Sequence, residues 1–309
     1  MAVVMLAIAS TLAVGIWYNS QLSLVRITNL QKAYQAKHYS QGLLLWASDL
    51  LREDYAQDEN THDSSFDAWQ QGIQGMVVED AIISGSLKGL DGRFNVNNLI
   101  INGVKSDAHI VYLRQLLLIL EMDVTLVDKM IDWIDADQVP EPNGAEDFAY
   151  LAKSPSYQTS GTFFQHIEEL AYLDGLSRED YNRLLPYVTV LPTTQGATKM
   201  NVNFMSPPLF KALNNKLTDD IAIRLAQDGQ ADYTSMAAFY QHKAIEYVLN
   251  DDDRRAISKL LNTQTLFLQA SSLVEMEASS VVIYALLRRH TNGSARVLSR
   301  SNIPYLPAP

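Results

Sequence analysis

The hydrophobic pattern of the first 54 residues is that of a single long helix. From Met1 to Tyr18 the sequence is almost continuously apolar, and the first charged side chain is that of Arg26. Apolar residues then continue at approximately helical spacing, and no proline interrupts the chain before Pro140. The pattern predicts one helix that is apolar at its start and amphipathic from about Ser20 to Asp54.

The apolar start of this helix is of the length that a membrane anchor needs. A bilayer-spanning helix takes about 20 predominantly apolar residues. A cleaved signal peptide would show a basic segment before the apolar stretch and a small-residue cleavage site after it, and neither is clear here. An ordinary anchor followed by an unrelated domain is a common alternative, but the unbroken helical pattern after Tyr18 favours one continuous helix.

The rest of the chain alternates between strand-like and helix-like patterns. Val/Ile clusters with closely spaced glycines predict two or three short strands between about Gly75 and Ile101. Helical spacing dominates from about Ser106 to Leu260, with a turn at Asp123 to Thr125. The C-terminal runs "TLFLQASSLVEM", "SSVVIYALLRRH" and "ARVLSRS" read as strands, with a turn at Thr291 to Ser294. Since a sheet begins before the helical block and ends after it, the block is predicted to be an insertion.

A short internal repeat divides the helical block. The segment "RFNVNNL" around Asn95 recurs as "KMNVNFM" around Asn201, and a helix pair follows each copy. The repeat predicts a duplicated small helical domain. Asn95, Asn97, Asn201 and Asn203 could be taken for ligands, but asparagine commonly turns or caps the chain, and we interpret them in that way.

Composition and charge exclude several classes of function. The chain of 309 residues has a net charge of -11, which argues against nucleic-acid binding, and its lack of cysteine excludes thiolate sites and disulfides. The second repeat resembles helix-hairpin-helix DNA binders only loosely, since "NNKLT" lacks their glycine. The six histidines are scattered, and no common catalytic motif occurs.

The densest cluster of candidate chemistry is the acidic loop "DWIDADQVPEPNGAED", which holds six carboxylates and no basic residue. Asp135, Asp137 and Glu146 have the spacing of the first, third and twelfth ligands of an EF-hand, but Val139 and Pro140 depart from that motif. Either water solvates the loop, as is usual for charge runs, or a cation binds it. Oxygen ligands without imidazole or thiolate would favour calcium.

Taken together, these features resemble the K-class minor pseudopilins of the bacterial type II secretion system. The resemblance spans essentially the whole chain. Its most specific pieces, besides the uncharged N-terminal helix, are "DGRFNVNNL", "DWIDAD" followed by "GAED", and "LPYVTVLP" leading to "MNVN".

The resemblance implies an α+β, pilin-like fold, in which a long N-terminal helix packs on an antiparallel sheet. A large all-helical domain of two SAM-like modules would be inserted in that sheet. The expected divisions are the helix (1–55, with its membrane or filament-core part at about 1–20), the first part of the sheet domain (56–105), the first module with the acidic loop (106–197), the second module (198–260) and the second part of the sheet domain (261–309).

The resemblance also implies a function without enzymatic activity. The chain would sit at the tip of a short periplasmic filament, the pseudopilus, in a complex with the I- and J-class minor pseudopilins. It would be anchored in the inner membrane by its single apolar helix, with the globular part in the periplasm. The family carries structural calcium in the inserted domain, which implies the ligands Asp135, Asp137, Glu146 and Asp147, with Asp132 and Glu141 as further candidates.

Pseudopilins are made with a basic leader that a peptidase removes after a glycine, and no such segment precedes Met1. We therefore expect either that the chain begins a few residues inside the mature helix or that its start was assigned to an internal methionine. The class also lacks the glutamate that most pilins carry near the start of this helix, and the first glutamate here is Glu53.

Two alternatives to the tip pseudopilin stay open at the level of sequence. One is a membrane-anchored hydrolase that uses carboxylates of the acidic loop. The other is an anchored adaptor that binds envelope partners through its helical modules, without filament assembly.

Overall fold

The computed structural model of the chain describes residues 1–58, 62–193, 196–277, 279–290 and 292–305. Within these ranges the α-helices are α1 (Ala2–Asp58), α2 (Asp107–Ile119), α3 (Leu126–Ile134), α4 (Asp147–Leu151), α5 (Arg178–Leu184), α6 (Pro207–Lys211), α7 (Asp219–Ala226), α8 (Met236–Tyr240) and α9 (Asp251–Ile257). The strands are β1 (Ile73–Val78), β2 (Ala81–Gly89), β3 (Phe94–Asn95), β4 (Ile100–Ile101), β5 (Val104–Lys105), β6 (Val188–Thr189), β7 (Met200–Asn201), β8 (Leu261–Asn262), β9 (Phe267–Met276), β10 (Ser279–Arg289) and β11 (Ala295–Ser301).

The helix α1 is continuous, as predicted, and ends four residues beyond the predicted end at Asp54. Its first thirty residues are exposed, including Val3, Trp17 and Leu30. This exposed part contains a segment that is long and apolar enough to cross a membrane. A large apolar surface left in water is unfavourable, so this half of the helix needs an apolar environment that the rest of the chain does not supply.

The second half of α1 packs on a five-stranded antiparallel sheet. Leu43, Leu44 and Leu51 are buried between the helix and the sheet, together with Leu87 and Leu268 of the central strands. This half of the helix therefore gains its stability from packing against the sheet.

The sheet has the strand order β1-β2-β9-β10-β11. Its central pair joins Ala81 to Met276 and Gly89 to Leu268, so strands on either side of the helical block lie next to each other. This pairing confirms that the block is an insertion. The predicted turn between β10 and β11 falls partly on Thr291, which lies outside the described residues. In the described part of that turn, Gly293 adopts a positive φ of 78°.

The insert consists of two modules built on the same plan. In the first, β3 pairs in parallel with β6, and Asn95 accepts a hydrogen bond from the Asn97 backbone at 3.2 Å. In the second, β7 pairs in parallel with β8, and Asn201 accepts from the Asn203 backbone at 3.0 Å. The internal repeat in the sequence is therefore a repeat in the structure. The insert is not helical throughout, because each module closes with a parallel strand pair.

The second asparagine of each pair joins distant segments within its module. The Asn97 side chain bonds the backbone of Phe164 in both directions, at 2.9 Å each, and Asn203 does the same with Tyr233 at 2.7 and 3.1 Å. All four asparagines of the repeat are buried and make such local or cross-chain hydrogen bonds. These contacts agree with our interpretation of them as structural residues.

Candidate metal centre

The acidic loop starts from a rigid support, the helix α3. Trp133 near the end of this helix is buried, stacked on Phe164 with ring centres 6.0 Å apart and meeting Tyr150 edge-on at 5.4 Å. Aromatic contacts of this kind fix the orientation of the helix. Asp135 is the next residue but one, and it ends the helix in an extended conformation (φ −73°, ψ 163°). Its side chain is thereby directed away from the helix and toward the loop.

Three of the six predicted carboxylates come together. Oxygen atoms of Asp135, Asp137 and Glu146 all lie within 4.8 Å of one another. Glu146 is buried at 6% exposure, although it occupies the position before α4 where a side chain often caps the helix. Neither carboxylate oxygen of Glu146, and neither carboxylate oxygen of Asp135, has a hydrogen-bond partner among the described residues. Buried carboxylates without partners are costly, so this arrangement calls for a compensating positive charge.

The pKa values of these carboxylates reflect the same lack of a compensating positive charge. Burial, followed by repulsion from Asp137 and Asp132, raises the pKa of Asp135 to about 6. Burial and repulsion from its acidic neighbours raise the pKa of Glu146 to about 7. Within the described residues none of the three clustered carboxylates forms an ion pair, and Lys105, the cation that acts on Asp135, is paired with Glu141 instead.

The geometry suits a hard divalent cation. Calcium binds six to eight oxygen ligands at about 2.3–2.6 Å, so oxygens around one ion lie within about 5 Å of each other. Three carboxylates at that mutual distance supply half of such a shell. A groove of about 570 Å³ lies beside Asp135 and Asp137 and is bordered by Gly161 and Thr162.

The other three predicted ligands have different partners. Asp132 is fully buried and accepts hydrogen bonds from the Glu141 backbone at 3.0 and 3.3 Å. Glu141 pairs with Lys105. Asp147 accepts from the Thr159 backbone at 2.8 Å and from the Thr159 hydroxyl at 2.7 Å, and these bonds lower its pKa. All three brace the loop around the cluster.

The loop closes tightly over Asp132, and Gly144 makes this possible. A Cβ atom at position 144 would overlap the Asp132 carboxylate, and it would lie 2.9 Å from the Glu141 nitrogen. A side chain at this position would therefore push away the residue that holds the loop. The glycine of the acidic segment is explained by close approach and not by a positive φ.

A second group of three carboxylates was not predicted from the sequence. Oxygens of Asp54, Asp63 and Asp67 also lie within 4.8 Å of one another, where α1, the loop after it and the sheet meet. This junction cluster contains its own cation: the fully buried Arg289 bonds Asp63 at 2.5 Å and Asp54 at 2.6 Å. Asp63 also accepts from the Thr265 backbone at 2.6 Å.

The junction cluster connects the insert to the pilin-like part. The backbone oxygen of Asp63 accepts hydrogen bonds from Asn201 at 3.1 Å and from Asn203 at 3.0 Å, which are the repeat asparagines of the second module. One sequence feature could have indicated this role. Arg289 ends a strand whose neighbouring inward-facing positions, Leu287 and Ala285, are apolar and buried, and an arginine on such a face requires buried acidic partners.

Known proteins similar to this chain point to one family. The sequence model described as "Type II secretion system (T2SS), protein K" matches residues 92–193. The type II secretion system protein K of Klebsiella pneumoniae is 32% identical over 229 residues, which cover 69% of this chain and 68% of the relative. The Pectobacterium carotovorum protein of the same name is 30% identical, with 72% and 71% covered. This chain belongs to the type II secretion system protein K family.

A further relative and a solved structure extend the match over most of the chain. The protein K of Pseudomonas aeruginosa is 29% identical over 304 residues, which cover 95% of this chain and 88% of the relative. A chain in the crystal structure of the GspK-GspI-GspJ complex from enterotoxigenic Escherichia coli superposes with a TM-score of 0.78. It is 18% identical and covers 89% of this chain and 98% of its own, which confirms the predicted pilin-like fold. The predicted K-class minor pseudopilin identity is also confirmed.

Proposed function

We propose that this protein K family member acts at the tip of the pseudopilus, in a complex with the I- and J-class minor pseudopilins. The observation that carries the proposal is the insertion between β2 and β9, which adds two modules to a sheet that α1 already covers on one face. In a filament of helically stacked subunits, such an insert would clash with the subunit above it. At the end of the filament nothing lies above, and the insert is accommodated.

The exposed half of α1 fits both stages of this function. Before assembly its apolar surface would lie in the inner membrane, with the globular part in the periplasm. After assembly it would pack against the equivalent helices of neighbouring subunits, so that apolar contacts replace lipid. The GspK-GspI-GspJ complex, in which a chain of the same fold is crystallised with two other proteins, supports I- and J-class partners for this chain.

The assembly is tested by mixing the purified full chain in detergent with I- and J-class minor pseudopilins and measuring the mass of the product by light scattering. A stoichiometric ternary complex is expected. A chain that stays alone would contradict the proposal. The anchored-adaptor alternative is tested separately in cells: replacing residues 1–20 by an unrelated transmembrane helix abolishes secretion if the helix takes part in filament assembly, and leaves it intact if the helix is only an anchor.

We further propose that Asp135, Asp137 and Glu146 hold a structural calcium ion. The support is the set of buried, partnerless oxygens on Asp135 and Glu146, whose mutual spacing fits one ion. When bound, calcium supplies two positive charges to the cluster and adds its binding free energy to folding. The chain's own residues hold the ligands in place: Asp132 and Gly144 close the loop, and Trp133 fixes the helix from which it starts.

Calorimetric titration of the full chain with calcium, after treatment with chelator, tests this site. Saturable binding is expected in the wild type, together with a higher melting temperature. Asp135→Asn with Glu146→Gln should abolish both. If the wild type shows neither heat of binding nor a change in melting temperature, the loop does not bind calcium.

A further inference from the structure

A large groove lies on the face of the sheet that α1 does not cover. It has a volume of about 790 Å³ and crosses strands β1, β2, β9 and β10. Side chains alternate between the two faces of a strand, so the residues that point into it are those between the buried, helix-facing positions. Ser84, Ser86 and Lys88 of β2 belong to this set.

The groove differs in charge from the rest of the chain. The chain as a whole carries 35 acidic and 24 basic residues. The described residues that line the groove nevertheless include Lys88 and Arg93 and no Asp or Glu. Neither cation forms an ion pair within the described part of the structure. The groove is therefore a positively charged recess in an acidic protein.

Arg93 is an unsatisfied donor at this recess. One terminal nitrogen of its guanidinium is buried and has no hydrogen-bond partner among the described residues. An unpaired buried guanidinium donor loses its hydration without compensation, and its strongest hydrogen bonds are made with carboxylate and phosphate oxygens. Arg93 belongs to the segment "DGRFNVNNL". The asparagines of this segment have structural roles, but those roles do not explain the presence of Arg93.

The remaining lining suits a polypeptide. Gln71 and Gln74 are exposed amides that border the groove, and they offer both donors and acceptors. Gln74 lies in β1, which has a neighbour on one side only in the described sheet. Its outer backbone N–H and C=O groups are available to an extended segment, as in recognition by strand addition.

A lipid headgroup does not fit the position of the groove. Gly85, which lines it, packs against Leu43 of α1 on the other face of the sheet. From Tyr18, the end of the apolar segment, to Leu43 the helix rises about 37 Å, at roughly 1.5 Å per residue. That distance is several times the Debye length of about 8 Å at physiological ionic strength. This step rests on the proposed membrane anchor, and the earlier steps do not.

We propose that this groove binds an extended acidic polypeptide segment, with Lys88 and Arg93 pairing its carboxylates and β1 pairing its backbone. The segment is part of a partner protein that docks on this face of the sheet.

The test uses the full chain in phosphatidylcholine nanodiscs and a fluorescent peptide of alternating Glu and Gly, followed by anisotropy. The same peptide with Gln in place of Glu is expected to bind at least about tenfold more weakly, the size of one lost charge-assisted hydrogen bond. The double variant Lys88→Gln/Arg93→Gln should bind the acidic peptide more weakly than the wild type, by a similar factor or more. Arg300→Gln, which removes an exposed cation of β11 outside the groove, is the matched control and should bind normally.

Lys88 is exposed, so Lys88→Gln alone gives the same answer if the double variant unfolds. Equal binding of the Glu and Gln peptides, or unchanged binding by both groove variants, would overturn the proposal. So would displacement of the peptide by inorganic phosphate at an equal concentration of charge, which would identify a small-anion site. Binding that requires phosphatidylglycerol in the nanodisc would identify a lipid site and overturn it as well.

Discussion

The described part of the chain contains two clusters of three carboxylates, and they differ in where the compensating charge comes from. In the junction cluster, Arg289 lies among the acids and bonds two of them. In the loop cluster of Asp135, Asp137 and Glu146, the described residues supply no ion pair. Both clusters have acidic groups of raised pKa, such as Asp67 at about 6 and Glu146 at about 7, with burial as the largest cause in each.

The comparison separates a structural ion-pair network from a ligand site. Proximity of carboxylates is the same in the two clusters and therefore decides nothing alone. The deciding observation is whether the protein itself satisfies the acidic oxygens. A cluster that contains its own arginine has no electrostatic need for a metal, whereas the loop cluster leaves four buried oxygens without partners in the described structure.

The largest expected effect is the loss of stability when Arg289 is removed from the junction cluster. Arg289→Met puts an apolar side chain of similar length in place of the arginine and removes the cation that bonds Asp63 and Asp54. Removing one partner of a buried pair costs about 3–5 kcal/mol, so the free energy of unfolding should fall by about that much. Urea denaturation measures the change. Arg296→Met, at an exposed position of β11, is the control and should stay within about 0.5 kcal/mol of the wild type. A loss in Arg289→Met as small as that of the control would mean that the junction does not depend on its arginine.

The next largest effect is the stabilisation of the protein by calcium at the loop cluster. With calcium at about 100 times its dissociation constant, the wild type should gain about 2.7 kcal/mol of stability by mass action. Asp135→Asn with Glu146→Gln should gain none. In chelator, the variant should be at least as stable as the wild type, because it no longer buries uncompensated carboxylates. Thermal melts with and without calcium measure both differences. A variant that is less stable than the wild type in chelator would mean that the loop carboxylates stabilise the fold without an ion.

The pH dependence of stability should also distinguish the clusters. The folded state raises the pKa of Asp135 to about 6 and that of Glu146 to about 7, above the values of about 4 in an unfolded chain. The folded protein thus retains protons that the unfolded chain releases, so this contribution to stability is lost as the pH rises from about 4 to 7. Saturating calcium should reverse the trend, because the ion binds the deprotonated ligands.

Melting temperatures across this pH range, measured in chelator and in calcium, check the prediction. Glu146→Gln in chelator should show a flatter profile than the wild type. The junction cluster responds to pH in both conditions, since Arg289 occupies it at all of these pH values. A Glu146→Gln profile as steep as that of the wild type in chelator would place the pH dependence outside the loop, and a calcium-independent wild-type profile would mean that calcium does not bind the loop carboxylates.

Local sequence patterns predicted the fold well, and long-range pairing limited the prediction of the sites. The continuous α1, the C-terminal strands and the repeated asparagine turns follow from periodicity within short windows. Arg289 and its partners Asp63 and Asp54 are 226 and 235 residues apart, so no short window contains both partners. The loop illustrates the same limit at shorter range: all six acids are close in sequence, but the fold directs only three toward one another.

The smallest expected effect is that of Asp147, and it tests which acids of the loop are ligands and which only hold the loop in place. The family resemblance implies that it is a calcium ligand, whereas in the structure it accepts hydrogen bonds from the backbone and hydroxyl of Thr159, twelve residues further on. If bracing the loop is its role, Asp147→Asn keeps an acceptor for Thr159, lowers the melting temperature by no more than a few degrees, and leaves the calcium-induced rise intact. If it is instead a ligand, the same substitution removes much of that rise, as Glu146→Gln does. Parallel melts of the two variants with and without calcium therefore decide whether the site ends at three carboxylates or includes a fourth.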